Sequence, residues 1–314
     1  MKLRVFGILL ACLFLLATIP AGAAEPPVKF IRIAGGGMGG AWYLGAAKMA
    51  SFCEKIWPGI SASSTPGGGV GNMRRLQKNE YQIAFTFTDT IYAAANGKAP
   101  FKSPIPLRFL CSTNPAYVQT IAQPSIKSYK DLKGKTVCPG DKAKSAYDTF
   151  LKILKAYGME KDVKLISASY DKMPDLFVDG VVNADMVYGS VPHLVPNEIL
   201  VRRKAHFLSL DDSIRKKLLA AYGGMVDLTI KPNSFKTQDY PVKTVGSMTA
   251  IVCRPDVPDE VIYKLLKYTW EHRPDLISAH VVYKDFTKET VPLGRTIPWH
   301  PGAEKFWKEG GVLK

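Results

Sequence analysis

The first third of the chain repeats one pattern: a short apolar run, a glycine-rich or polar turn, then a run with helical spacing. Residues 29–34 predict a short strand, and residues 42–57 predict a helix with Tyr43, Ala46, Ala47, Ala50 and Cys53 on one face. Residues 60–64 predict a second strand, which runs into a second turn and helix. A third strand over residues 82–87 ends at Thr88-Asp89-Thr90, ahead of an alanine-rich helix closed by Asn96-Gly97. A fourth apolar segment, residues 107–111, leads out. Alternation of this kind implies parallel strands joined by right-handed helical crossovers.

A second unit of the same type starts near Thr113. It comprises a helical turn over residues 128–132, a strand over 135–138 and a helix over 142–157. Tyr147, Phe150, Leu151, Leu154 and Tyr157 stripe that helix, and Gly158 stops it. A strand over 163–166, a helix over 171–178 and a strand over 184–188 follow, ending at Gly189-Ser190. The proline- and polar-rich segment 232–245 reads as a return connection. Residues 247–253 then rejoin the first sheet, followed by a helix over 259–270 with Pro258 just ahead of it. The expected architecture is α/β, a clamp of two lobes, each a mainly parallel sheet flanked by helices. Residues 25–113 with 245–314 form a discontinuous first lobe and 114–244 form the second. Ligands in such folds sit outside the carboxyl ends of the strands, here the mouth between lobes.

Two turns stand at that mouth. In the first, Gly35-Gly36-Gly37-Met38-Gly39-Gly40, glycine fills five of six positions; in the second, Thr65-Pro66-Gly67-Gly68-Gly69-Val70-Gly71-Asn72, the glycines again precede a helix. Glycine admits positive φ and lets a bound group approach the main chain. A helix start presents unpaired N–H groups and the positive end of a dipole, a combination that captures carboxylates and other anions. Gly35, Gly37 and Gly40 also fit the dinucleotide pattern G-x-G-x-x-G. The acidic residue that pattern requires about 20 positions on, at the end of the next strand, is missing.

Ahead of these units, residues 1–24 carry the marks of a cleavable secretory signal: Lys2 and Arg4, an apolar run over 5–17, then Pro20 and small residues up to Ala24. That run is too short to span a bilayer comfortably. An uncleaved anchor, or lipid attachment through Leu9-Leu10-Ala11-Cys12, are the alternatives. Roughly 290 residues remain, more than one comfortable core holds, in keeping with two lobes. The 42 lysines and arginines against 27 acids give +15, and removing Lys2 and Arg4 leaves +13. This balance favours anionic partners in general. The basic residues are scattered, without the clusters or aromatic motifs that nucleic-acid binding requires. Cys53, Cys111, Cys138 and Cys253 are far apart, so pairing is not fixed by spacing. His193, His206, His272, His280 and His300 lack metal-ligand spacing, so neither a metal nor another cofactor is expected. A hydrolase would need a nucleophile beside a base, and G-x-S-x-G is absent; the expectation is a binding protein, not an enzyme.

With the segments placed, the sequence resembles the TAXI family of extracytoplasmic solute receptors that serve TRAP-type secondary transporters. The resemblance runs through Gly35 to Tyr43, Thr65 to Asn72 with Leu76, Thr88-Asp89, Asp131 to Val137, Asp179 to Asp185 and Gly189 to Pro192. It ends in Ile297-Pro298-Trp299-His300-Pro301-Gly302-Ala303-Glu304-Lys305-Phe306-Trp307-Lys308-Glu309-Gly310. It implies a type II periplasmic-binding-protein fold; with the signal segment, the expectation is a periplasmic receptor, monomeric or weakly associating. The implied ligand is a small organic acid or acidic amino acid, and the implied partners are the transporter's membrane subunits. One departure bears on the ligand. Where that family has a glycine- and serine-rich turn, this chain has Pro139-Gly140-Asp141-Lys142-Ala143-Lys144-Ser145-Ala146-Tyr147. Lys142 or Lys144 either pairs with a second carboxylate or is a solvated lysine at a helix start.

The candidate binding residues follow from these positions. Met38, Gly39, Gly40 and Ala41 either donate main-chain N–H groups to a carboxylate or form a purely conformational turn. Trp42 is expected toward the mouth and Tyr43 in the core. Gly68, Gly69, Val70 and Asn72 form the partner loop, with Asn72 either meeting the ligand or capping its own helix. Thr88 and Asp89 either bond a ligand hydroxyl or ammonium or cap theirs. Ser145, Tyr147, Tyr188 and Gly189 are placed on the second lobe by strand ends and by the family pattern. His300 is expected to be structural, and Arg74 and Arg75 to be a solvated helix face.

Overall fold

The computed structural model describes residues 27–142 and 144–314, so the expected signal segment lies outside the described residues. The chain alternates as expected through β1 (Phe30–Ala34), α1 (Ala41–Ile56), β2 (Ser61–Thr65), α2 (Gly69–Gln77), β3 (Ile83–Phe87) and α3 (Thr88–Ala95). There follow β4 (Arg108–Ala122), β5 (Thr136–Cys138), α4 (Ser145–Tyr157), β6 (Lys164–Leu165), α5 (Met173–Val178), β7 (Ala184–Gly189) and α6 (Leu194–Arg202). The remainder is β8 (His206–Phe207), α7 (Asp212–Ala221), β9 (Met225–Ile230), β10 (Val242–Cys253), α8 (Asp259–Glu271), α9 (Arg273–Ala279) and α10 (Pro301–Glu309). Short 3-10 turns occupy Tyr129–Leu132 and Val281–Asp285.

The strands form one continuous sheet in the order β2-β1-β3-β10-β4-β7-β5-β6, with β8 paired to β4 and β9 to β10. Its ends are parallel, as the alternating pattern requires. Its middle, β3-β10-β4-β7, is antiparallel. Here the structure differs from two separate sheets joined by extended crossings, because both crossings are themselves long paired strands. A crossing through a protein interior must satisfy every buried N–H and C=O, and a strand ladder does so. Strand β4 therefore does not stop at Cys111. It continues through Ser112, Thr113 and Asn114, all buried, whose polarity disguises the strand in the sequence. Their side chains are satisfied locally: Ser112 Oγ donates to Leu293 O at 2.8 Å and Thr113 Oγ1 to Asn114 Oδ1 at 2.9 Å.

The buried apolar residues fall into four clusters on the two faces of this sheet. Two draw on residues 31–111 and 250–307, one packing α1, α8 and α10 around Phe52, Phe286 and Trp307, the other packing α2 and α3 around Met73 and Ile91. The other two draw on residues 116–245, around Phe150 and Leu154 of α4 on one face and Phe177 and Ile199 on the other. The elements that the pattern misses, α6, α7, β8, β9 and α9, have weak stripes. Helix α7 fully buries Leu218 alone, and α6 leaves Leu194 and Val201 exposed. All four cysteines among the described residues are buried free thiols, and burial pushes those of Cys53 and Cys138 up to about 12 and about 11. No described helix is long and apolar enough to cross a membrane.

Candidate functional site

The two glycine turns are held side by side by their own main chains. Gly35 N donates to Thr65 O at 2.9 Å and Gly67 N to Gly36 O at 3.0 Å. A Cβ on Gly35 would meet Tyr43 Cα at 2.7 Å, so glycine there permits β1 to approach the first turn of α1. Asn72 locks the assembly. Its Nδ2 donates to Gly35 O and Phe85 O, both at 2.8 Å, and its Oδ1 accepts from Gly68 N at 3.1 Å. The buried amide thus ties both turns to the end of β3, and its hydrogen-bonding groups are spent inside the protein.

The turns open onto a cavity of about 460 Å³. Gly36, Gly37, Gly40, Ala41 and Trp42 line it from the first turn and Gly67, Gly68 and Gly69 from the second. Phe87 lines it from β3, while Asp141, Lys144, Ser145, Ala146, Ser169, Tyr170 and Tyr188 face them from the second unit. Three helices begin on this cavity: α1 after Gly40, α2 after Gly68 and α4 after Lys144. None of these three N-caps makes a side-chain capping bond. The opening N–H groups of each helix have no partner within the helix. Three positive dipole ends therefore converge on one space, an arrangement that suits a single negative group.

The wall beside these helix starts is aromatic. Trp42 meets Phe87 edge-on with centroids 4.7 Å apart, and Phe87 meets Tyr188 at 5.0 Å. Trp42 Nε1 donates to Thr249 Oγ1 at 3.1 Å, which fixes the indole against β10. Tyr170 Oη accepts from Tyr188 N at 3.2 Å. The Tyr188 hydroxyl is buried beside Ser247; burial first, then the nearby Asp89 charge, push it well above its ordinary pKa, with Ser247 opposing.

An adjoining cavity of about 620 Å³ lies on the other side of Gly67–Gly69 and is lined by Arg74, Lys142, Lys144, Lys152, Asp89 and Asp148, among others. Lys152 Nζ lies 2.7 Å from Asp148 and 3.9 Å from Asp89, joining α4 to α3. Burial disfavours the Lys152 ammonium, but the two carboxylates outweigh it and its pKa is raised. Arg74 is engaged with Pro100 O at 2.9 Å, and Arg75 with the Tyr81 hydroxyl and Glu80.

The structure brings Gly40, Ala41, Trp42, Gly68, Gly69, Ser145 and Tyr188 to the first cavity. Val70, Asn72 and Asp89 line the second. Met38, Gly39, Thr88, Tyr147 and Gly189 line neither. Met38 is 79% exposed, because the positive φ of Gly39 turns the loop outward there. Thr88 Oγ1 donates to Gly224 O and accepts from Met248 N at 3.0 Å, which commits it to the junction of α3 with β10. Gly189 O accepts from Gln119 Nε2 at 2.9 Å. Lining residues absent from the sequence reading are Phe87, the last residue of β3, and Ser169 and Tyr170, which follow β6; both places satisfy the strand-end rule. His300 is structural: buried, it caps α10 by accepting from Gly302 N at 3.2 Å, and its Nε2 bonds Val257 O at 2.8 Å.

The fold is shared with solved structures. The chain is similar to the periplasmic aliphatic sulphonate binding protein SsuA from Escherichia coli, with 15% identity, TM-score 0.51, and coverage of 91% of this chain and 94% of that one. It is also similar to the chloride-bound protein XAC2383 from Xanthomonas citri, with 10% identity, TM-score 0.54, and coverage of 91% and 98%. Both likenesses support an α/β periplasmic-binding-protein fold. A model of the NMT1-like family matches residues 33–311, nearly all of the described chain, and the protein belongs to that family.

Proposed function

We propose that the protein is an exported solute receptor that captures a small organic anion between two lobes and delivers it to the membrane subunits of a TRAP-type secondary transporter. Residues 25–113 with 245–314 act as one lobe and 114–244 as the other, with β4 and β10 as the hinge. The observation that carries this reading is the convergence of the starts of α1, α2 and α4, none with a side-chain capping bond, on one cavity between the two groups of cores. The first two belong to one lobe and the third to the other. An anion touching all three is held better in the closed form, which is the condition for a ligand to drive closure. That SsuA is a sulphonate binding protein fits a fold suited to anions. Delivery to a TRAP transporter rests on the resemblance to TAXI receptors.

Thermal-shift titration of the mature chain against dicarboxylates, keto acids, amino acids, aromatic acids and sulphonates tests the receptor. A binder is expected to stabilise by about 2.7 kcal/mol at a hundredfold excess over Kd. Gly68→Leu is expected to abolish that response. The site has open space around Gly68 and an extended φ of −174°, so the fold itself should lose no more than about 1 kcal/mol, the cost of a poorer N-cap for α2. Turnover of any compound would overturn the assignment. With a ligand in hand, proteoliposomes carrying the membrane subunits discriminate the partner. Uptake driven by an ion gradient without ATP is expected, while ATP-dependent uptake would assign the receptor to an ABC importer.

A further inference from the structure

The walls of the cavity define the body of the ligand. Each aromatic side chain there has its polar atom directed into the protein or has none. Trp42 Nε1 is taken by Thr249 Oγ1 at 3.1 Å, Tyr170 Oη by the main-chain N–H of Tyr188 at 3.2 Å, and the Tyr188 hydroxyl is buried beside Ser247. Phe87 sits between Trp42 and Tyr188, with centroids 4.7 and 5.0 Å away, and closes the wall. The cavity therefore meets carbon faces on this side and helix starts on the other. Its volume of about 460 Å³ equals that of roughly fifteen waters at about 30 Å³ each, ample for a one- or two-ring acid.

We infer that the ligand is a monocarboxylate with a planar aromatic body, of the arylacetate class, its carboxylate at the starts of α1, α2 and α4 and its ring against Trp42, Phe87 and Tyr188. This rests on the receptor reading above and narrows it. A dicarboxylate or acidic amino acid would carry its second charge toward those carbon faces, where desolvation is uncompensated. Lys144 is the single lysine or arginine lining this cavity among the described residues, and it sits with the helix starts rather than with the rings. Flat aromatic bodies, by contrast, find edge-to-face partners already in place.

Isothermal titration of the mature chain with phenylacetate, indole-3-acetate, succinate, glutamate and uncharged phenylacetamide tests the inference. The two arylacetates are expected to bind at least tenfold tighter than succinate, glutamate or phenylacetamide. Phe87→Ala is expected to weaken phenylacetate at least tenfold, and Phe87→Leu, which keeps apolar volume without the ring, several-fold, with folding of each variant checked by circular dichroism. Saturable binding of succinate or glutamate with weaker arylacetate binding overturns the inference and leaves the receptor reading standing. Equal binding of phenylacetamide and phenylacetate, or wild-type phenylacetate affinity in a folded Phe87 variant, overturns it as well. Failure of all five probes to bind overturns it, and the wider anion panel then decides the receptor reading separately.

Discussion

Asn72 shows how much of the site a single buried side chain can organise. Its amide joins Gly35, Gly68 and Phe85, so Asn72→Ala leaves the buried carbonyls of Gly35 and Phe85, and the part-buried N–H of Gly68, without that partner. The expected cost is about 2–4 kcal/mol by urea denaturation, with loss of anion binding even where the protein remains folded. Unaltered stability would show that the two turns hold themselves. Asp185 is a contrasting residue. Fully buried on β7, with neither carboxylate oxygen hydrogen-bonded, it is held well above the ordinary carboxylate range by desolvation. Its folded pKa exceeds its unfolded one. The associated stability is present below about pH 4 and is lost as pH rises toward the folded value. Asp185→Asn removes that loss, so the melting temperature of the wild type is expected to fall behind the variant's as pH rises above about 4. Parallel pH curves would contradict the assignment. The glycine turns were legible in the sequence because a strand followed by a glycine run and a helix has few physical uses. Of the aromatic wall, Trp42 and Tyr188 were anticipated from a helix start and a strand end, whereas Phe87 and Tyr170 were not: they lie far apart in sequence, and only the placement of β3, β7 and β6 in one sheet brings them together with Tyr188.

At the scale of elements, the long strands β4 and β10 carry the arrangement. They pair antiparallel over most of their length, with register shifts at Thr249/Ala250 and Ile251/Val252, beside the residue that anchors Trp42. Gly246 lets β10 pass close to β4, since a Cβ there would run into Ala116 O and Leu228. Gly246→Val is accordingly expected to destabilise the protein by about 1–3 kcal/mol in denaturant unfolding, with a change below 0.5 kcal/mol, roughly, contradicting the close approach. Alternation of strand and helix marked β1 to α3 within a residue or two, because each helix there buries one clear face. It failed for β4, whose buried Ser112, Thr113 and Asn114 imitate a loop, and for α6 and α7, whose apolar residues are only partly covered. Ser112 is satisfied by Leu293, far away in sequence, and Thr113 by its neighbour Asn114 as a loop residue would be, so neither marks a buried strand.

For the whole molecule, the chain belongs to the NMT1-like family, shares the α/β binding-protein fold, and builds its cores from two sets of residues, 31–111 with 250–307 and 116–245. The fold class was readable in advance because two alternating units, the second inserted in the first, permit few other topologies. The continuity of the sheet was not, since pairing of β10 with both β3 and β4 is decided in three dimensions. Anion capture in the proposed site depends on main-chain donors. Amide-resolved NMR of the mature, isotope-labelled chain, titrated with the tightest-binding anion of the panel, addresses them directly. The amides of Ala41, Trp42, Gly69, Val70, Ser145 and Ala146 are expected to shift together and saturate at one Kd. Saturable binding that leaves those six amides unmoved, with shifts confined to other surfaces, would contradict it.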